Sequence, residues 1–337
     1  MFEVLQLHQL LAAAARPSGF EQEGAASVLR ELAAPLVDEI TTDALGNLIC
    51  HKKGPGKRVM LCAHMDVIGF LVTGIDDRGC LSVTNLGWHD PAEVINARLR
   101  FPGGLRGILR PRERAKTLSG SWSSIRMEDL YVDIGASTRE QAEKLVKLGD
   151  TAMFEGEPRA AGPYRIVGPY ADDLTGCITL LLAMEQLEES PYDVYFVFSA
   201  QEEVGLRGAR TAALGIRPDL AIACDVCDAD DTPMWDNKNR VIRLGRGPAI
   251  KIKDSSVISS PALNRALRQA AEQAELTWQG EIMLAGGTDT SAMQLAGPDT
   301  AATCLSIPTR YIHSPAELYD WRDVEQAAAL LTAFLKQ

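Results

Sequence analysis

Glu202 and Glu203 stand side by side in the stretch Ser199-Ala-Gln-Glu-Glu-Val-Gly-Leu-Arg-Gly208. The apolar run Tyr192–Phe198 before them has the β-branched and aromatic composition of a buried strand, so both carboxylates fall where that strand ends. Gly205 and Gly208 then allow the backbone to turn into a helix. Neighbouring side chains in irregular backbone point in different directions. One glutamate can therefore hold a metal ion while the other reaches a water as a general base. Alone, the pair has a simpler reading, because acidic residues at a helix start complement the helix dipole. The chemical reading gains its weight from what the other strand ends carry.

His64 and Asp66 close the apolar run Arg58–Asp66, and Asp172 and Asp173 open an apolar helix predicted over 174–187. Asp225 ends a strand predicted over 219–226, and His313 follows one predicted over 301–307. In an open α/β sheet ligands bind at the carboxyl ends of the strands, so all of these can face one crevice. Two imidazoles and several carboxylates without a thiolate suit zinc, cobalt or manganese, and a set of five suits two metals sharing one carboxylate. His64 and Asp66, two apart on a strand, face the same side. That spacing suits a ligand histidine whose other nitrogen is held by a carboxylate. Singly, His64 fits a core histidine, Asp172 a helix cap and Asp225 a turn residue. Their joint placement favours the metal site. His8, His51 and His89 are read as surface or structural histidines.

The elements that must position these residues alternate. Two helices are expected over 1–35, broken at Arg16-Pro-Ser-Gly19, then a strand over Thr42–His51 that turns at Gly46-Asn47. From 67 to 165 the pattern changes to short alternating runs (Gly69–Thr73, Gly79–Thr84, Val94–Phe101, Gly107–Leu109, Leu130–Ile134), interrupted by one helix over 138–148 capped by Ser137 or Thr138. The α/β pattern resumes at Val167 and continues through an amphipathic helix over Pro261–Leu276, a glycine turn at Ala285–Asp289 and a last helix from Trp321. The fold class is therefore α/β: a mostly parallel mixed sheet wrapped by helices, formed by 1–66 and 166–337, with a small β-barrel domain inserted at 67–165.

The 46% hydrophobic content of 337 residues allows a large core, and the formal charge of −11 argues against nucleic acid or an anionic membrane as partner. Residues 67–165 are nearly neutral, with 14 Lys and Arg against 13 Asp and Glu, so the acidity lies elsewhere. The cluster Arg98, Arg100, Arg106, Arg110, Arg112, Arg114 and Lys116 lacks interleaved aromatics and is read as a solvated or subunit-facing surface. Seven cysteines at irregular spacings point to free thiols, and Cys224-x-x-Cys227 has no second pair to complete a zinc site. Leu5–Ala15 lacks a basic flank and carries on a helical pattern, which places the chain in the cytoplasm, and no apolar run reaches the length of a membrane span.

The segments Ala63-His-Met-Asp66-x-Ile-Gly-Phe, Ala171-Asp-Asp-x-x-Gly-Cys177, Gln201-Glu-Glu-Val-Gly-Leu-Arg-Gly208, Gly286-Gly-Thr-Asp289 and Tyr311-x-His-Ser-Pro315 together resemble the glutamyl aminopeptidase and tetrahedral aminopeptidase family. These are dinuclear metallo-aminopeptidases, some of which carry the name endoglucanase. The resemblance runs the length of the chain in order, spacing and inserted domain. It implies that His64 and Asp225 hold one metal, that Glu203 and His313 hold the other, and that Asp172 bridges them. It also implies Glu202 as general base, Asp66 orienting His64, and a cis peptide between Asp172 and Asp173. The implied reaction removes N-terminal residues from short peptides, using a bridging water activated by two divalent ions, zinc before cobalt or manganese. The implied assembly is a large homo-oligomer, a tetrahedral dodecamer. One departure is Leu174, where members commonly have Arg. Alternatives that keep parts of this pattern are a deacylase or other amidohydrolase, an endoglucanase, and a non-catalytic scaffold. The 6% aromatic content disfavours the glycosidase, which needs sugar-stacking platforms and two carboxylates rather than histidine ligands.

Overall fold

Four runs of β-branched and apolar residues, neighbours in one sheet, form the centre of the molecule. The strands Asp193–Ser199, Arg58–His64, Leu220–Asp228 and Ala301–Arg310 lie parallel in that order. Being buried on both faces, they read as continuous apolar runs without alternation. Parallel pairing brings their carboxyl ends to one edge, with Ser199 opposite His64 and Asp225 opposite Ser306. The computed structural model describes residues 3–112, 125–229, 231–232 and 242–337.

Antiparallel strands extend this centre on both sides. Leu48–Lys52 and Glu39–Thr42 add to one flank, while Glu317–Asp320, Arg165–Gly168 and Arg159–Ala161 add to the other. The pair Ala249–Lys253 and Gln279–Ile282 joins at Ala301–Arg310. The single strand expected over Thr42–His51 is instead a hairpin in which Glu39 faces His51, because Gly46 takes a φ of 106° and Asp43 gathers the N–H groups of Leu45, Gly46 and Asn47.

The helix Ala171–Gln186 is buried on nearly every side between the sheet and the C-terminal helix Trp321–Leu335. Thr175 and Thr179 can sit in that core because each hydroxyl donates to the carbonyl four residues earlier. Leu174, at the departure from the family pattern, is part of the core. The peptide between Asp172 and Asp173 is cis.

Residues 69–154 supply a closed six-stranded antiparallel barrel: Gly69–Ile75, Leu81–Leu86, Leu130–Asp133, Arg106–Pro111, Arg98–Arg100 and Thr151–Phe154. The helix expected over 138–148 is confined to Arg139–Glu143, capped by the Thr138 hydroxyl accepting from Gln141 N–H. The described residues of the basic cluster find partners within the chain, in the barrel and at the first helix. Arg98 and Arg106 pair with Glu155, Arg112 reaches Ser82 and Asp76, and Arg100 donates to the carbonyls of Ala12 and Ala15. Arg114 and Lys116 lie outside the described residues. All seven cysteines are free.

Candidate metal centre

His64 ends its strand 2% exposed, so every polar atom it carries needs a partner. Its main-chain N–H donates to Asp173 Oδ2 at 3.1 Å. Its ring Nδ1 lies 2.9 Å from the carbonyl oxygen of Asp66. A carbonyl only accepts, so Nδ1 carries a proton, and in the neutral ring Nε2 presents a lone pair. Nε2 faces Asp172 Oδ1 at 3.0 Å. The other Asp172 oxygen faces His313 Nε2 at 3.2 Å, and that nitrogen lies 3.4 Å from Glu203 Oε2. Lone pairs meeting in this way require a proton or a cation between them.

Asp225 joins from the end of its own strand, and His64, Asp173 and Asp225 each offer one ligand atom within 4.8 Å of the others. His64, Asp172 and Glu203 form a second such group. Asp173 is already engaged, since its oxygens accept from His64 N–H and Gly176 N–H. Glu203 Oε1 is buried without a hydrogen-bond partner. An orphaned anionic oxygen beside two imidazoles fits a divalent cation.

Asp66 works differently from the simple carboxylate–imidazole pair expected. It holds His64 through its main-chain carbonyl, its carboxylate Oδ1 being 3.6 Å from Nδ1. The carboxylate instead accepts from Ser18 Oγ at 2.6 Å and from the N–H groups of Glu202 at 3.0 Å and Glu203 at 3.2 Å. One residue therefore fixes His64, a candidate ligand, and pins the Glu-Glu loop. Glu317 escaped the sequence reading. Its two oxygens accept from Asp172 N–H at 3.0 Å and His313 N–H at 2.9 Å, tying together the backbones of two candidate ligands. The available signal was a charged residue in a short strand that proves 1% exposed, two residues beyond the Tyr311–Pro315 motif.

Electrostatics agrees with this picture. Burial is the largest influence on Glu202, Glu203 and Asp225 and raises their carboxyls, Asp225 to about 7. Burial also acts on Asp172, but the hydrogen bonds of His313 and His64 outweigh it and hold that carboxyl below its usual range. Several buried carboxylates this close cannot all ionise unpaired. Divalent cations would satisfy them where protons do so only in part. A cavity of about 540 Å³ opens beside Asp172, Asp225 and His313.

Residues 46–330 match the family model described as M42 glutamyl aminopeptidase. The chain belongs to that family. This M42 peptidase is 35% identical over 337 residues to the lysyl aminopeptidase of Pyrococcus furiosus, covering 95% of this chain and 93% of that protein. An aminopeptidase structure from Desulfurococcus kamchatkensis superposes with a TM-score of 0.93 at 35% identity, covering 99% of this chain and 94% of the other. The Pyrococcus horikoshii TET1 peptidase, described as assembling into a tetrahedron or a large octahedral shell, gives a TM-score of 0.85 at 31% identity, covering 98% of this chain and 99% of the other. The M42 chain is thus an aminopeptidase, a metal-binding hydrolase of peptide bonds.

Proposed function

We propose that this M42 peptidase removes N-terminal residues from short peptides at a dinuclear centre. In this reading His64 and Asp225 would hold one divalent ion, Glu203 and His313 would hold the other, and Asp172 would be shared between them, with zinc expected before cobalt or manganese. The single observation that carries it is Asp172, whose two oxygens each face the Nε2 of a different histidine, at 3.0 and 3.2 Å. When bound, the cations supply Lewis-acid polarisation of the scissile carbonyl and a water of lowered pKa.

The protein groups supply the proton transfers and the geometry. Glu202 is the general base: its carboxylate accepts a proton as the water oxygen bonds to the carbonyl carbon, then returns it to the amine nitrogen as the C–N bond breaks. Asp66 keeps that carboxylate in place through the Glu202 N–H and keeps the His64 ring in one tautomer. His313 is tied to Glu317 through its N–H, as is Asp172.

The proposed division is a catalytic domain of 1–66 and 166–337 and an inserted domain of 67–165 that serves oligomerisation and substrate access. The TET1 relative supports self-association, and we propose a closed homo-oligomer, a tetrahedral dodecamer, in the cytoplasm. Among the described residues no helix is long and apolar enough to cross a membrane. The test is one preparation assayed with and without added zinc, cobalt or manganese on aminoacyl anilides, N-acetylated amino acids and a cellulosic substrate. Metal-dependent release from the anilides alone is expected, with a multi-chain mass in light scattering. Cleavage of the acetylated series alone indicates a deacylase, release of sugar a glucanase, and inertness throughout a scaffold. A mass of one chain would remove the assembly.

A further inference from the structure

The cavity beside Asp172, Asp225 and His313 has a chemical character of its own. Beyond those residues its walls include Trp88, Val226, Cys227, Met283 and Ile312. At about 540 Å³ it lies within the ~300–1,000 Å³ range of ligand cavities. Among the described residues neither Lys nor Arg lines it, and Asp228 is the one charged lining residue outside the metal cluster.

Two glycines shape these walls. Gly87 has a φ of 80°, and a Cβ there would stand 3.1 Å from Glu203 Oε2, so glycine lets the barrel loop close onto the Glu-Glu segment. The next residue, Trp88, is thereby brought to the site, its ring 5.9 Å from that of His313 while remaining 63% exposed. Gly286 has a φ of 82°, and a Cβ there would meet Met283 Cε at 3.0 Å, so glycine leaves the thioether end of Met283 its place against the turn.

We propose that this cavity receives the side chain of the residue being removed and selects uncharged apolar residues of leucyl or methionyl type, with Met283, Ile312 and Trp88 as specificity-determining side chains. The proposal rests on the aminopeptidase reading above. Among the described residues, a glutamyl carboxylate entering the cavity away from the metal cluster would be desolvated against apolar walls with no Lys or Arg to pair with and Asp228 nearby. A lysyl ammonium would lose hydration against Val226, Met283 and Ile312, and the exposed Asp228 returns little of that. An apolar side chain gains from the same walls, and Met283 adapts to its shape.

The experiment measures kcat/KM of the metal-loaded enzyme on leucyl, methionyl, lysyl and glutamyl p-nitroanilides. Leucyl or methionyl should exceed lysyl by at least about tenfold and glutamyl by about 100-fold or more. Met283→Arg places a cation in the cavity wall and should raise the glutamyl-to-leucyl ratio by at least about tenfold, a gain that loss of structure cannot mimic. Trp88→Arg, at an exposed position, reads the same ratio should the first variant not fold. A wild-type preference for glutamyl or lysyl substrates overturns the proposal, as does a ratio unmoved in the folded Arg variants. Cleavage of N-acetylated amino acids with every anilide inert defeats the aminopeptidase reading itself, and this proposal with it.

Discussion

Glu317 directs both carboxylate oxygens at the main chain of the site, one to Asp172 N–H and one to His313 N–H. It touches no candidate metal position, yet it sets where two candidate ligands stand. Replacing it by Gln turns one acceptor into a donor facing an N–H, so one of the two ties must break. We expect Glu317→Gln to keep its helical content but to bind metal about 10–100-fold more weakly, the usual effect of losing a partner that orients a ligand. A competition titration against a chelator, with circular dichroism on the same sample, measures both. Unchanged affinity in a folded variant would show that the two N–H groups are held without it. Asp66 illustrates the same economy, with a carbonyl for His64 and a carboxylate for the Glu-Glu loop. Its spacing from His64 in the sequence signalled the pairing. Which of its oxygens does which task depends on backbone geometry that no spacing encodes.

At the level of elements, histidines of similar appearance in the sequence separate by burial. His8 lies on the first helix, Val4–Ala14, and is fully buried where that helix docks. Its Nε2–H donates to the Pro169 carbonyl at 3.1 Å, and its Nδ1 accepts from the Tyr319 hydroxyl at 3.0 Å. Burial lowers its pKa from 6.5 to about 4. Above pH 6.5 both folded and unfolded chains carry it neutral. As pH falls towards 4 the unfolded chain binds the proton first, so stability is lost across that window and no further below it. The shift corresponds to about 3 kcal/mol. Denaturant unfolding at pH 7.5 and pH 4.5 should show a fall in the wild type that exceeds the fall in His8→Gln by about that amount. Equal falls would mean that His8 titrates normally in the folded protein.

The central strands and the long buried helix were legible because an apolar run that turns polar at its end is a strong signal, as in Arg58–Asp66 and in the run up to Glu202. The flanking strands Ala249–Lys253 and Gln279–Ile282 were not. They are short and carry Lys251 and Glu281, a pair 3.2 Å apart that is buried by packing between elements distant in the sequence. Thr151–Phe154 closes the barrel but gave no alternation, since all four of its residues are buried.

At the scale of the molecule, the barrel is more than an appendage. Its Gly87–Trp88 turn sits on Glu203 and beside His313, so the site is built from both parts of the chain. The barrel itself was readable from the short alternating runs that begin at Gly69. This contact was not, because it depends on a glycine with positive φ packing against a residue more than a hundred positions away. The nearly neutral barrel segment within an acidic chain suits the surface proposed to meet other copies.

The central claim is that the two adjacent glutamates hold different tasks at a two-metal centre. Metal analysis alongside kinetics on Glu202→Gln and Glu203→Gln tests it most directly. Glu202→Gln leaves every proposed ligand in place but cannot accept the proton of the water. It should retain about two ions per chain while turnover falls by roughly 10²–10⁴-fold. Glu203→Gln removes an anionic ligand, so it should lose about one ion and recover part of its activity in excess metal. An emptied site in Glu202→Gln, with both ions retained in Glu203→Gln, would contradict the account.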